Sequence, residues 1–326
     1  MLNRRDVLGG AASAALAAHL TTARAAEVPA VPPADREVRV PVPGGKLYVR
    51  VNGDLKSGKP PLLLVHGGPG GALWQFFPAL PLASERAIIL YDQLDSGRSD
   101  APGDKANWTV DRFAAEIRAI RAALDLQHLH LLGHSWGGIV ANRYAATRPA
   151  GLLSLILQGT PPSDSAARAS MGQVLSKLPD GAGAVIAAHE RAGTTSDPAY
   201  GTAVQLFFRK HLARTSVRSI AMPYMEGTPD DRGNALASAM TGEQINGFEG
   251  VLKGFDDTPL MRRIEVPTLL LCGEFDIMTP TATRALLPLL QRGSFKELAG
   301  AGHMAQFDQP DAWRQVVGEF IRGHDA

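Results

Sequence analysis

The 326-residue chain has a single cysteine, Cys272, so it can form no internal disulfide and no cysteine-rich zinc site. It also lacks an excess of either charge: 33 Lys and Arg stand against 32 Asp and Glu, a formal +1. That leaves no basic field for nucleic acid and no polybasic patch for a stable membrane anchor. The apolar stretch Gly9–Leu20 is too short to span a bilayer and is interrupted by His19. No internal repeat or low-complexity block appears beyond it. What is present is an ordinary globular composition, 45% hydrophobic and 20% charged. A chain of this size buries about 75% of its unfolded surface, so it holds a core without metal or disulfide.

The N-terminus reads Asn3-Arg4-Arg5-Asp6-Val7-Leu8, then the small apolar run, then Ala23-Arg24-Ala25. An arginine pair, a weakly apolar stretch and an A-x-A site in that order predict a bacterial twin-arginine export signal over residues 1–25 and a periplasmic or secreted protein. The Pro-rich residues that follow read as a linker, 26–37.

Val38–Val42 and Leu47–Val51 alternate around a Pro-Gly-Gly turn and predict an antiparallel hairpin. Leu62–Val65, Ala87–Tyr91, Leu129–Leu132, Leu153–Leu157 and Thr268–Leu271 are continuous apolar runs, as in parallel strands buried on both faces. Helical patterns lie between them, clearest over Val110–Leu124. The fold class expected is α/β, a mostly parallel central sheet. The rhythm stops at Pro161-Pro162 and resumes at Ile264. Residues 161–263 are therefore expected to form an inserted helical cap over the sheet's carboxyl edge, and residues 38–160 and 264–326 the core.

The strand Leu129–Leu132 runs into Gly133-His134-Ser135-Trp136-Gly137-Gly138, and a helical pattern follows. This is a G-x-S-x-G elbow in its strand–turn–helix context, with Ser135 as nucleophile. A serine hydroxyl needs a base. Of nine histidines, His303 sits in the Gly-rich loop Ala299–Met304 after the strand candidate Phe295–Leu298, where it can reach over the elbow. His134 shares the serine's tight turn and points elsewhere, while His189 and His211 in the cap read as surface residues. Asp276 and Glu274 both follow the strand Thr268–Leu271, and Asp276, further into the loop, is better placed to orient the imidazole. The order Ser135, Asp276, His303 suits a nucleophile–acid–base triad. The loop His66-Gly67-Gly68-Pro69-Gly70-Gly71 lets backbone N–H groups approach a substrate oxygen, so Gly68 and Trp136 are the candidate oxyanion-hole donors. No Lys-Ser/Thr follows that loop, which excludes a Walker phosphate site.

His66-Gly67-Gly68-Pro69-Gly70, Tyr91-Asp92-Gln93 with Ser96-Gly97-Arg98-Ser99, Gly133–Gly138 and Gly273-Glu274-Phe275-Asp276 together resemble the proline iminopeptidase family of α/β hydrolases, which includes amino-acid amidases. The resemblance runs from about residue 38 to the end. It implies the α/β-hydrolase fold and a serine hydrolase that removes an N-terminal residue from a small molecule or short peptide, with no cofactor or metal. In the cap, Met240, Gly242, Gly250, Leu252, Lys253 and Asp256 keep the spacing of a family motif. The family's amine-holding glutamate falls on Ile245, and its proline and phenylalanine fall on Glu243 and Asn246. Asp95 stands where a glycine is usual. Glu243, Glu226 or Glu249 could replace the missing carboxylate, Glu243 from a helix. The leading expectation is amide cleavage through an acyl-enzyme. An esterase, lactonase or xenobiotic amidase on the same triad is the alternative, and a low-turnover ligand-binding homologue a further one.

Overall fold

The computed structural model describes residues 31–217, 221, 224 and 232–325. The predicted export signal and the candidate Glu226 lie outside the described residues. An eight-stranded sheet runs in the order β1-β2-β4-β3-β5-β6-β7-β8. Its strands are β1 Arg36–Val42, β2 Gly45–Asn52, β3 Leu62–Val65, β4 Ile88–Asp92, β5 Leu129–His134, β6 Leu152–Gln158, β7 Thr268–Gly273 and β8 Gly293–Leu298. β1–β2 and β2–β4 pair antiparallel, and every pairing from β4 to β8 is parallel. β1 starts inside the stretch expected to be linker. Even before it, Asn52 Nδ2 donates to Pro33 O (2.8 Å) and Asp35 N to Val51 O (3.0 Å), which lays residues 33–35 along β2.

Continuous apolar strands form because both faces of the sheet are covered. Leu63, Val65, Ile89, Leu131 and Leu155 face α1 (Val110–Ala123) and α2 (Trp136–Ala145), meeting Phe113, Ile117, Ile139 and Tyr144. Their neighbours Leu62, Leu64, Ile88, Leu132 and Ile156 face the opposite way, against Leu73, Phe76, Trp313 and Val317. The side-chain period of two splits one apolar run between two cores.

Between β6 and β7 the described residues contain helices and no named strand: α3 Asp164–Ser176, α4 Ala182–Ala192, α5 Pro198–Phe207 and α6 Arg232–Thr241. α3, α4 and α5 close around their own apolar cluster of Val174, Leu175, Ile186, Tyr200, Val204 and Phe207, whereas α6 adds Leu236 and Met240 to the core on the α1–α2 face of the sheet. The helix expected to carry Glu243 stops before it. Gly242, at φ +79°, ends α6, and residues 242–250 form a loop in which Gly247 (φ +95°) turns the chain again. Past β8, α7 (Pro310–Arg322) packs Trp313, Val317 and Ile321 under the sheet.

Candidate active site

β5 ends at His134, and Ser135 occupies the turn into α2 at φ 55°, ψ −119°. A side chain at positive φ costs on the order of 1–3 kcal/mol, so it persists only where its surroundings impose it. Here glycines impose it by letting backbones touch. A β-carbon at Gly133 would lie 2.3 Å from Gly137 O, and one at Gly137 would lie 2.2 Å from Val65 O. Ser135 N donates to Gln158 O at the end of β6 (2.8 Å), which fixes the elbow against the neighbouring strand.

The adjacent strand ends bring the other two candidates together. His303 Nδ1 donates to Asp276 Oδ1 at 2.7 Å, and the two residues are 3% and 1% exposed. Backbone N–H groups hold the carboxylate as well: Met278 N donates to Oδ1 (2.9 Å). With Nδ1 carrying the proton, the imidazole's Nε2 is a free acceptor. Glu274 does something else; its exposed carboxylate accepts from Gly300 N (2.9 Å), tying the β7 end to the loop after β8. Gly159, which had no place in the sequence reading, closes the arrangement. It follows Gln158 at φ +55°, and a β-carbon there would lie 2.7 Å from His303 Nδ1 and 3.0 Å from Asp276 Oδ2. The residue next to Ser135's backbone partner thus abuts the imidazole–carboxylate pair.

His134 is fully buried, its ring 4.6 Å from that of His303. Its Nε2 donates to the His303 carbonyl (3.0 Å). Burial, with the neighbouring His303 ring adding to it, holds its pKa well below the ordinary imidazole value, so it is a neutral brace.

The glycine loop after β3 is held from beneath. Gln75 grips Gly67 at both ends, accepting from its N–H (2.9 Å) and donating to its carbonyl (3.1 Å). Gln93 donates to His66 O (3.1 Å) and accepts from Trp136 Nε1 (2.8 Å), joining this loop to the start of α2. His66 is fully buried, and desolvation lowers its pKa to about 4. Gly68 projects from these anchors, exposed, at φ +60°, with open space where a β-carbon would be. Asp95 takes the glycine-like φ of 62° and spends its carboxylate on Gly103 N (2.7 Å) and Trp108 Nε1 (2.8 Å). The departure from glycine is offset by a new loop lock.

The inserted helices reach the site at several points. Ser170 of α3 donates to Ile277 O (2.7 Å) and accepts from Thr279 N (2.9 Å), bracketing the turn after Asp276. Gly233 of α6 meets Gly70 so closely that a β-carbon at 70 would lie 1.9 Å from the Gly233 carbonyl. The Tyr224 hydroxyl donates to Asp92, whose pKa burial raises to about 6. Ile245 packs with Ile277 against the apolar cap cluster. Of the acids considered beside it, Glu243 is exposed, and Glu249 is engaged by Arg168 (3.0 Å) and Lys253 (2.8 Å). A carboxylate that the sequence did not suggest, Glu190 of α4, comes to the same place but accepts from Ile245 N (2.6 Å) and Tyr200 OH (3.3 Å). His211, expected at the surface, is buried. Among the described residues no group of three or more His, Cys, Asp or Glu could hold a metal ion, and no helix is long and apolar enough to cross a membrane.

Residues 60–310 match the family described as alpha/beta hydrolase fold. A proline iminopeptidase of Heyndrickxia coagulans is 32% identical over 283 residues, 86% of this chain and 97% of its own length. Another from Levilactobacillus brevis is 32% identical over 89% of this chain and 97% of its own. The crystal structure of the Mycobacterium smegmatis proline iminopeptidase superposes with a TM-score of 0.81 at 27% identity, over 89% of this chain and 99% of that one. The chain is a hydrolase and belongs to the proline iminopeptidase-like α/β hydrolases.

Proposed function

We propose that the protein is a serine hydrolase that cleaves an amide bond through an acyl-enzyme on Ser135, as a proline iminopeptidase or amino-acid amidase does. The observation that carries this reading is the buried Asp276–His303 pair at 2.7 Å, set through Gly159 beside the elbow that presents Ser135. The Asp276 carboxylate fixes the tautomer in which His303 Nε2 takes the Ser135 proton as the hydroxyl attacks the carbonyl. Gly68 and Trp136 N–H groups receive the developing oxyanion. The imidazolium returns its proton to the leaving amine, and water, deprotonated by the same base, releases the acyl group. Export through residues 1–25 belongs to the same proposal. It rests on the arginine pair and the A-x-A site, and sequencing the N-terminus of exported protein checks it.

Ile245 supports a second reading of the substrate. An ammonium buried without its carboxylate loses roughly 2–5 kcal/mol, or about 30-fold to several-thousand-fold in selectivity. Ile245 is apolar and packs against the cap cluster instead, and Glu190 is occupied by backbone N–H and a tyrosine hydroxyl. That favours an acyl group that need not carry a charge: a blocked amide, a lactone or an ester. The test compares kcat/KM for prolyl-naphthylamide, its N-acetyl form and a neutral aryl ester. With no carboxylate at 245, free and acetylated amides are expected to differ by less than about 30-fold. A preference for the free amine above roughly 100-fold, lost in Glu226→Gln, would instead place an amine anchor at Glu226 and restore the aminopeptidase specificity in full.

A further inference from the structure

His211 lies in the π-helical turn Phe208–Leu212 that ends α5, and it is 7% exposed. Its two polar ends reach two different loops. Nδ1 donates to Phe275 O (2.8 Å), the carbonyl immediately before Asp276. Its own carbonyl accepts from His303 N (2.8 Å), and the next carbonyl, Leu212 O, accepts from Met304 N (2.8 Å). The fit leaves no slack: a β-carbon at Gly302 would lie 2.9 Å from His211 O. Because Nδ1 is the donor, Nε2 is a bare acceptor, and it is buried without a hydrogen-bond partner. Desolvation, with Lys210 and Arg214 adding to it, lowers the pKa of the ring despite the opposing Phe275 carbonyl and Asp276, so the imidazole is neutral. An unpaired buried acceptor carries a desolvation penalty that an apolar residue of similar size would avoid. What an apolar residue could not supply is the N–H on Phe275.

We infer that His211 is a positioning residue for the Asp276–His303 pair, holding the acid loop and the base loop at one spacing through its imidazole N–H and its carbonyl. The inference rests on the reading of Asp276 and His303 as acid and base. Catalytic constellations tolerate only about 0.5 Å of misplacement, and 1 Å can cost on the order of 100-fold in rate. The cap is therefore more than a cover over the substrate; its π-turn sets the geometry of the pair that activates the nucleophile.

The test uses two substitutions at one position. His211→Leu removes the donor. His211→Asn keeps a donor nitrogen at the same branch point of the side chain, where it can still reach Phe275 O. The leucine variant is expected to lower kcat by on the order of 10- to 100-fold with KM nearly unchanged, and the asparagine variant to recover most of that loss. Should the leucine variant not fold, His211→Gln, whose amide sits one bond too far out for that carbonyl, must show the same loss of kcat. An unchanged kcat, an equal loss in the asparagine variant, or a loss confined to KM would overturn the inference. Ser135→Ala assayed alongside separates the two levels of the argument. If it keeps full activity, the triad reading fails; if it is inactive while His211→Leu is not impaired, only the role of His211 fails.

Discussion

At the scale of single residues, two carboxylates two positions apart illustrate how similar sequence positions acquire different work. Asp276 and Glu274 leave the same strand end. Asp276 is 1% exposed and pairs with His303, whereas Glu274 is exposed and pins Gly300 N. Asp276→Asn should fold normally but favour the wrong imidazole tautomer, lowering kcat by roughly 10³- to 10⁴-fold. Glu274→Gln can still accept from Gly300 N and should change kcat by less than about tenfold. Steady-state rates of the two variants check this, and a reversed order would reassign the orienting acid. The signal for Ser135 is local, since the glycines around it are needed within a few residues of it. The signal for Gly159, Gln75, Gln93 and His211 is not local. Each is defined by what arrives from a distant strand or loop, and nothing in its own neighbourhood of the chain records that arrival.

At the scale of elements, the strands were legible because burial on both faces demands unbroken apolar runs; β3 matches its apolar run residue for residue. The cap was less legible, because helical propensity cannot see where a glycine takes positive φ. Gly242 does so, and Glu243 leaves α6 for an exposed loop. Within α1, Phe113, Ile117 and Ile120 lie in the core, and Glu116 is fully buried beside them. Its Oε1 accepts from Leu94 N and Arg112 (both 3.2 Å), and desolvation raises its pKa to about 8 despite that arginine. A carboxyl with a raised folded pKa holds its proton more tightly in the native state than in the unfolded one. Its contribution to stability is therefore complete below the ordinary value of 4.5 and declines as pH rises toward about 8. Glu116→Gln, which keeps the acceptor and cannot ionise, should flatten that decline. Thermal melts of parent and variant across this range would show the parent losing Tm faster with rising pH. Parallel curves would mean that Glu116 does not carry the dependence.

At the scale of the whole molecule, the cap and the core are one working unit. Ser170 brackets the turn after Asp276, His211 joins the loop of Asp276 to the loop of His303, and Gly233 rests on Gly70 of the glycine loop. Each contact lands on a loop at the carboxyl edge of the sheet, the edge where α/β folds assemble ligand sites. Family membership and the fold follow from the whole chain, whereas the proposed substrate preference rests on Ile245 alone. The central claim is that chemistry proceeds through a covalent intermediate on Ser135. The most direct measurement is peptide mapping by mass spectrometry after reaction with a serine-directed aryl phosphonate. A single adduct on the Ser135 peptide, formed in step with the loss of hydrolysis and absent from Ser135→Ala, is the predicted result. An unlabelled Ser135 in inhibited enzyme, or a Ser135→Ala variant that hydrolyses at the parent rate, would contradict the account.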